Sequence, residues 1–457
     1  MSVKFGTSGL RGLVTGMTPD LISDHVQAFV RACDTGGVLC VGRDLRPSSP
    51  RIAGDVIAAA RAVGCRVIDC GALPTPALAL AAQAVQGGAV MVTGSHIPAD
   101  RNGLKFYVRS GEINKSDEAA ILAHLGNTET PETIAQGALD TDTKATDRYI
   151  ARYVDAFGTG ALSGQRIGVY SHSAVGRDVL IHILKDLGAE VLELGRSETF
   201  IPVDTEAVDP EVRAQIADWV KTHGLDALVS TDGDSDRPLM ADAQGRIVPG
   251  DILGQITAQT LHAQVVVTPI SSNSGITLKG IKDVRLTQIG SPYVIAAMAG
   301  ADDVVGYEAN GGFLLGFEAQ GPAGPLSPLA TRDCTLPILT VLYASQDGGL
   351  RARVAQEPAV VTVADRLQNI AQDKSQALLA QWQQNPQTRA DFLALMGKDE
   401  ARLDLTDGMR MILTDGDVIH VRPSGNAPEL RVYIETKDTQ LAQQLLSDAL
   451  SRVRAAL

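Results

Sequence analysis

Three times along this chain an apolar, strand-like run breaks into a polar loop that contains glycine. Ala89–Val92 leads into Thr93–Pro98, Leu225–Ser230 into Thr231–Arg237, and the run from Asp303 to Glu308 into Tyr307–Gly312. Helical spacing fills the intervals, at Thr18–Ala32, Pro47–Val63, Pro76–Val85 and Val175–Leu187, and further strand-like runs lie at 37–41, 65–70, 166–170, 190–194, 264–268 and 284–287. Strands alternating with helices predict α/β units whose mixed, mainly parallel sheets are covered on both faces. Ligands of open α/β sheets bind beyond the carboxyl ends of the strands. The three loops are therefore expected to contribute to one site.

Past residue 353 the texture changes. A Gln-rich stretch, Asp365–Gln383, reads as a polar helix; short alternating strands follow at 409–413, 418–421 and 430–435, and a helix closes the chain from Thr439 to about Arg454. This spacing predicts a smaller α+β domain with an antiparallel sheet. The expected division is 1–150, 151–256, 257–352 and 353–457, in keeping with about 100–150 residues per domain in a chain of 457.

Composition removes several classes of partner. The formal net charge is -13, no Lys/Arg-rich run occurs, and aromatic residues make up only 4% of the chain. Nucleic acid and anionic membrane are thus excluded as expected partners. An anionic substrate must be gathered by local cations against the overall field. The five cysteines form no CxxC pair and read as reduced thiols. Met1–Phe5 lacks an apolar signal core and no run of about 18 apolar residues is present, so a cytoplasmic location is expected.

The sharpest local signal is Thr231-Asp232-Gly233-Asp234-Ser235-Asp236-Arg237. Three carboxylates gathered beside an apolar strand require a cation, and an all-oxygen set selects a hard one. An EF-hand is ruled out, because its sixth position is Arg237 instead of Gly and its twelfth is Ala243 instead of Glu. Three ligands leave room for waters or a phosphate oxygen, which suits magnesium. Thr93-Gly94-Ser95-His96-Ile97-Pro98, followed by Asn102-Gly103-Leu104-Lys105, offers a serine on a short loop after a strand. It lacks the G-x-S-x-G elbow, and His96, as the sequence neighbour of Ser95, is not expected to serve it as a base. Phe5-Gly6-Thr7-Ser8-Gly9-Leu10-Arg11-Gly12 suits close backbone approach to a phosphate. Arg422-Pro423-Ser424-Gly425-Asn426 through Arg431 offers forked guanidinium donors and a cradle of N–H groups, the pattern that holds a phosphate monoester. Glu308 and Asn310, in Gly306–Gly312, can hydrogen-bond sugar hydroxyls. No Walker loop or G-x-G-x-x-G is present. The three-aspartate segment favours a site even alone, whereas each of the others taken singly is at least as compatible with a plain turn as with a site.

In this order, and over the whole chain from Phe5 to Tyr433, these segments resemble the α-D-phosphohexomutase family, including its bacterial phosphomannomutase branch. Val41-Gly42-Arg43-Asp44 with Arg46-Pro47-Ser48, and Leu73-Pro74-Thr75-Pro76, add to the likeness. The resemblance implies four domains around a central cleft, three of them related α/β units. It implies a phosphorylated Ser95 that also contacts one Mg2+ per chain, held by Asp232, Asp234 and Asp236. Arg11, Lys105 and Arg237 would be the cations beside them, with Arg11 and Lys105 assisting proton transfer. Thr7, Ser8, Glu308 and Asn310 would line the substrate, with Arg422, Ser424, Gly425, Asn426 and Arg431 around its distal phosphate. The implied activity is interconversion of mannose 6-phosphate and mannose 1-phosphate, with glucose or glucosamine phosphates as alternatives, through a hexose 1,6-bisphosphate. A remoter alternative, an aspartyl-phosphate phosphatase using Asp232, leaves Ser95 and the Arg422 loop unexplained. Departures from the family pattern bear on the sugar: Ile97 stands where Asn is usual, Asn310 where Ser, Gly312 where His, Asn426-Ala427 where Thr-Glu, and Gly290-Ser291 lacks an aromatic or His.

Overall fold

The structure, a computed structural model, describes residues 3–6, 9–126, 135–424 and 428–457. Thr7, Ser8, Gly425 and Asn426, expected at the substrate, lie outside the described residues. Among the described residues four main sheets follow one another, with a two-stranded pair, Ala319–Gln320 and Pro325–Leu326, beside the third.

The first three are mixed. In the first, the parallel strands Gly88–Val92, Val38–Arg43, Arg66–Ala72 and Leu139–Thr141 continue through antiparallel Arg101–Val108 and Leu10–Leu13. The second sets parallel Glu190–Leu194, Arg166–Tyr170 and Ala227–Thr231 beside antiparallel Pro238–Asp242. The third repeats the scheme with Asp283–Thr287, Val265–Pro269 and Val304–Tyr307 parallel, and Phe313–Leu315 and Leu329–Asp333 antiparallel. In each unit, then, the polar loop after the last parallel strand turns back into an antiparallel one. The fourth sheet is wholly antiparallel, and the closing helix Thr439–Ala456 packs on it.

One expectation is corrected here. Val361–Gln368 is an edge strand paired over eight positions with Glu429–Thr436, and the helix begins only at Gln372. One face of this edge strand packs on the fourth core through Val361, Val363 and Leu367, but from Asp365 onward Leu367 is the single apolar residue, too few to set its period apart from that of a polar helix.

The first three units share one continuous hydrophobic core, which runs from Cys40 and Tyr107 through Ile167 and Met240 to Phe313 and Leu342. Tyr149 and Tyr153, on the helix Ala145–Phe157, both donate to the buried carboxylate of Asp333 in the third unit, Tyr149 at 2.7 Å. The fourth unit has its own core, centred on Trp382, Met411, Ile434 and Leu445. It joins the third through polar contacts. Asn273 Nδ2 donates to the Val360 carbonyl at 2.8 Å, Glu435 accepts from the Ser274 amide at 3.0 Å, and Asp407 from the Ile289 amide at 3.0 Å. All five cysteines are free. Among the described residues, no helix is long and apolar enough to cross a membrane.

Candidate active site

The loops that follow the three parallel strands converge, as their positions in the sequence predict. Ser95 is fully buried and sits in the left-handed region at φ 54°, a conformation that costs a residue with a Cβ about 1–2 kcal/mol. What holds it there is Arg46, also buried. Its guanidinium donates to the carbonyls of Ser95 (2.8 Å), Ile97 (2.6 Å), Pro98 (2.7 Å) and Arg101 (3.0 Å), and to Asp44 at 3.1 Å. Asp44 in turn accepts from Ser49 (2.5 Å) and from Thr93 (2.8 Å), whose hydroxyl receives the Ser95 amide at 2.8 Å. The loop is thus wrapped around one guanidinium. A Cβ on Gly94 would lie 2.7 Å from the Arg46 guanidinium carbon, so glycine is required there.

The second loop meets the first at hydrogen-bond distance. Ser95 Oγ donates to Asp232 Oδ2 at 2.5 Å. A Cβ on Gly233 would fall 2.8 Å from the Ser95 carbonyl oxygen, so this close approach also depends on glycine. Asp232, Asp234 and Asp236 are buried, and each brings one carboxylate oxygen within 4.8 Å of the other two. Lys105 Nζ, 2% exposed, bridges Asp234 Oδ2 (2.6 Å) and Asp236 Oδ2 (2.5 Å), and Thr75 Oγ1 donates to Asp234 Oδ2 at 2.6 Å. Asp234 Oδ1 and Asp236 Oδ1 are buried with no hydrogen-bond partner among the described residues. Two orphaned carboxylate oxygens beside a third carboxylate fit a hard divalent cation.

Electrostatics separates the three acids. Burial and then the neighbouring Asp234 and Asp236 raise the carboxyl of Asp232 well above the usual range. Burial works against ionisation of Asp236 too, but Arg332, Lys105 and Arg237 outweigh it and hold that carboxyl far below the usual range. Asp234 falls as well, because Lys105 and Thr75 overcome its burial and the charge of Asp236. Arg11, on Leu10–Leu13, is lowered to about 10 by burial and then by Arg237 and Arg332, which places three guanidinium groups around the cluster.

His96 Nδ1 lies 3.3 Å from Ser95 Oγ, which itself donates to Asp232. Adjacency along the chain does not prevent the contact, since the left-handed turn at Ser95 folds both side chains to one side. Arg237 Nη1 donates to the same Nδ1 at 3.1 Å, which puts the ring proton on Nε2, facing Asp204 at 4.0 Å. Burial, then the charge of Arg237, pushes His96 down to about 3, so the ring is neutral near pH 7. No sequence pattern singled out Asp204.

In the third loop Glu308 is buried, and its backbone closes a turn in which the Gly311 amide donates to the Glu308 carbonyl at 2.9 Å. Asn310 Oδ1 accepts from the Gly312 amide at 3.0 Å, and Asn310 Nδ2 lies 3.5 Å from Glu308 Oε2. Sequence reasoning missed Arg332, a buried guanidinium that bridges Asp236 (2.8 Å) and Glu308 (3.1 Å). Burial opposes its charge, but Asp236, Glu112 and Glu308 keep it firmly cationic.

Arg422 and Arg431 are directly opposite on neighbouring strands of the fourth sheet, and Arg366 lies opposite Arg431 on the other side. Arg422 Nε is held by Asp407 at 3.3 Å and Arg431 Nη2 by Glu429 at 3.4 Å. Ser424 is buried and its amide donates to the Glu429 carbonyl at 2.8 Å. Arg431 lies within electrostatic reach of the second unit, through Glu206. Glu206 is pushed up to about 7 by the protein around it and by Asp204, with Glu308 adding to the rise and Arg237 and Arg431 opposing it.

Comparison with known proteins agrees with this geometry. The chain matches the profile described as phosphoglucomutase/phosphomannomutase, alpha/beta/alpha domain I, over residues 2–132, domain II over 147–245, and the C-terminal domain over 351–451. It is 42% identical to a phosphomannomutase of Sinorhizobium fredii, with all of both chains covered. It is 41% identical to a phosphomannomutase of Salmonella muenchen, covering all of this chain and 96% of that one. A phosphoglucomutase/phosphomannomutase family protein of Burkholderia thailandensis shares the fold at TM-score 0.80 and 20% identity, covering 98% of this chain and 97% of the other. Aspergillus fumigatus N-acetylphosphoglucosamine mutase, solved with GlcNAc-6P and magnesium, aligns at TM-score 0.59 and 16% identity, covering 100% and 96%.

Proposed function

The chain belongs to the phosphoglucomutase/phosphomannomutase family and is a phosphotransferring mutase, and on that premise we propose that it interconverts mannose 6-phosphate and mannose 1-phosphate in the cytoplasm. The full-length likeness to two phosphomannomutases supports mannose as the sugar. The observation that carries the chemistry is the 2.5 Å approach of Ser95 Oγ to Asp232 beside the two orphaned carboxylate oxygens. On this basis residues 1–150 supply the phosphoserine, 151–256 the cation site, 257–352 the sugar contact and 353–457 the distal phosphate grip.

Asp232, Asp234 and Asp236 hold one Mg2+, which supplies Lewis-acid polarisation of the phosphoryl group and offsets its charge. The protein's own residues do the rest. The free 1-hydroxyl of mannose 6-phosphate attacks the phosphorus on Ser95. The new O–P bond forms as the Oγ–P bond breaks, and the hydroxyl proton ends on Ser95 Oγ, its transfer assisted by Arg11 and Lys105. The product is mannose 1,6-bisphosphate with an unmodified Ser95. This intermediate turns end for end, Ser95 Oγ takes the 6-phosphoryl group, and mannose 1-phosphate is released. Glu308 and Asn310 bind the sugar hydroxyls, while Arg422, Ser424 and Arg431 hold whichever phosphate is distal. Positioning and charge compensation carry the rate in such a transfer.

Replacing Ser95 with Ala tests this. Mutase turnover is expected to fall by several orders of magnitude, with mannose 6-phosphate binding retained and no acid-stable phosphate left on the protein. Near-wild-type turnover in that variant would remove the covalent role of Ser95. Parallel assays with glucose 6-phosphate and glucosamine 6-phosphate decide the sugar.

A further inference from the structure

Arg332 belongs to none of the motifs described above, yet it sits at the junction of two of them. Its Nε and Nη2 meet Asp236 Oδ2 at 3.1 and 2.8 Å, and its Nη1 donates to Glu308 Oε2 at 3.1 Å. One planar guanidinium therefore grips a carboxylate of the cation loop with one edge and the carboxylate of the sugar loop with another. Its strand, Leu329–Asp333, is fixed behind it by the two tyrosines on Asp333. Space for the side chain comes from Gly312, where a Cβ would lie 2.7 Å from Arg332 Cδ. The position at which the family resemblance leads one to expect a histidine is thus the position that makes room for this arginine.

We propose that Arg332 is a positioning residue that couples cation binding at the three aspartates to sugar recognition at Glu308. The inference rests on the mannose-phosphate function proposed above. Engaging Asp236 through Oδ2 leaves the orphaned Oδ1 for the cation, and engaging Glu308 through Oε2 leaves Oε1 for a hydroxyl. When a cation draws charge from Asp236, more of the guanidinium's charge falls on Glu308, which is then held more firmly in its receiving position. Each ligand thereby raises the affinity of the other, by equal factors. Charge compensation points the same way. A phosphoserine near -2 together with the three aspartates and Glu308 is neutralised by a divalent cation with Arg11, Lys105 and Arg237 only when Arg332 is added.

The test uses the full-length Ser95→Ala protein, in which no turnover occurs. Mn2+ binding is followed by electron paramagnetic resonance, and mannose 6-phosphate binding by calorimetry with and without saturating Mn2+. The parent is expected to bind the sugar phosphate about fivefold or more tighter when Mn2+ is present. In Arg332→Met this gain falls to about twofold or less, and Arg332→Lys restores part of it. Glu308→Gln keeps the Arg332–Asp236 pair, so it still binds Mn2+ but loses the gain, and it serves if Arg332→Met does not fold. Independent binding of both ligands to the parent, or a gain that survives in Glu308→Gln, overturns the coupling alone. Failure of the parent to bind either ligand overturns the proposed function along with it.

Discussion

Replacing Arg46 with Lys tests whether the serine loop is held by hydrogen bonding to one guanidinium or by charge alone. Arg46 serves five acceptors, four of them carbonyls within the Ser95–Arg101 turn, and it is 1% exposed. An ammonium has three protons. If one stays on Asp44, two carbonyls at most are served and at least two are left without a donor. Each buried acceptor left open costs about 1–3 kcal/mol. Water can reach the outer carbonyls, so the low end of the range applies, about 1–1.5 kcal/mol each and about 2–3 kcal/mol in total. That free energy bears on the conformation that keeps Ser95 at φ 54°, which has its own strain to offset. At about 1.4 kcal/mol per tenfold, kcat/KM should fall by roughly 30- to 150-fold. Amides 95–101 should lose protection from hydrogen exchange while those of Val38–Arg43 and the second unit keep theirs. The assay is mutase flux coupled to consumption of mannose 1-phosphate, alongside exchange mass spectrometry. An Arg46→Lys enzyme within threefold of the parent, with unchanged exchange in the turn, would refute the reasoning.

Other outcomes follow from the same geometry. Arg422→Ala removes a distal phosphate grip and should raise KM by an amount equivalent to about 2–4 kcal/mol with a smaller change in kcat; an unchanged KM counts against the role. Asp251 is buried, accepts from the Asn273 amide at 2.8 Å, and is raised to about 6 by burial. A raised acid stabilises the fold below its unfolded value near 3.9 and loses that contribution as pH climbs to about 6. Above pH 6, Asp251→Asn should therefore be more stable than the parent by about 3 kcal/mol, with the difference vanishing near pH 4; equal denaturant midpoints at pH 8 would contradict this. Chelation should abolish turnover, and Mg2+ should restore it and raise the melting temperature of the parent more than that of Asp236→Asn.

Much of the fold was legible because the strands Gly88–Val92, Ala227–Thr231 and Val304–Tyr307 are buried on both faces, and so read as unbroken apolar runs. Asp365–Gln368 was misread as helix for the opposite reason, three of its four residues being exposed at an edge. Ser95, Lys105 and the three aspartates were legible because their spacing along one segment survives folding. Arg332 and Asp204 were not, since each acquires its role only when strands far apart in sequence meet. The one trace of Arg332 in the sequence was indirect, a glycine at 312 where a larger side chain was expected. His96 illustrates a further limit: whether adjacent side chains meet depends on a single backbone dihedral, and composition does not report it.

The division of the hydrophobic core carries a consequence for turnover. Three units are welded by shared apolar packing, while the fourth keeps a separate interior and leans on its neighbour through hydrogen bonds that water can replace. Swinging that unit outward would break those polar contacts, whereas any shear among the other three would break dense apolar packing. On the mechanism proposed above, a sugar that must rotate between two transfers would meet a stationary anvil at the serine and a hand at its far end that could let go and close again.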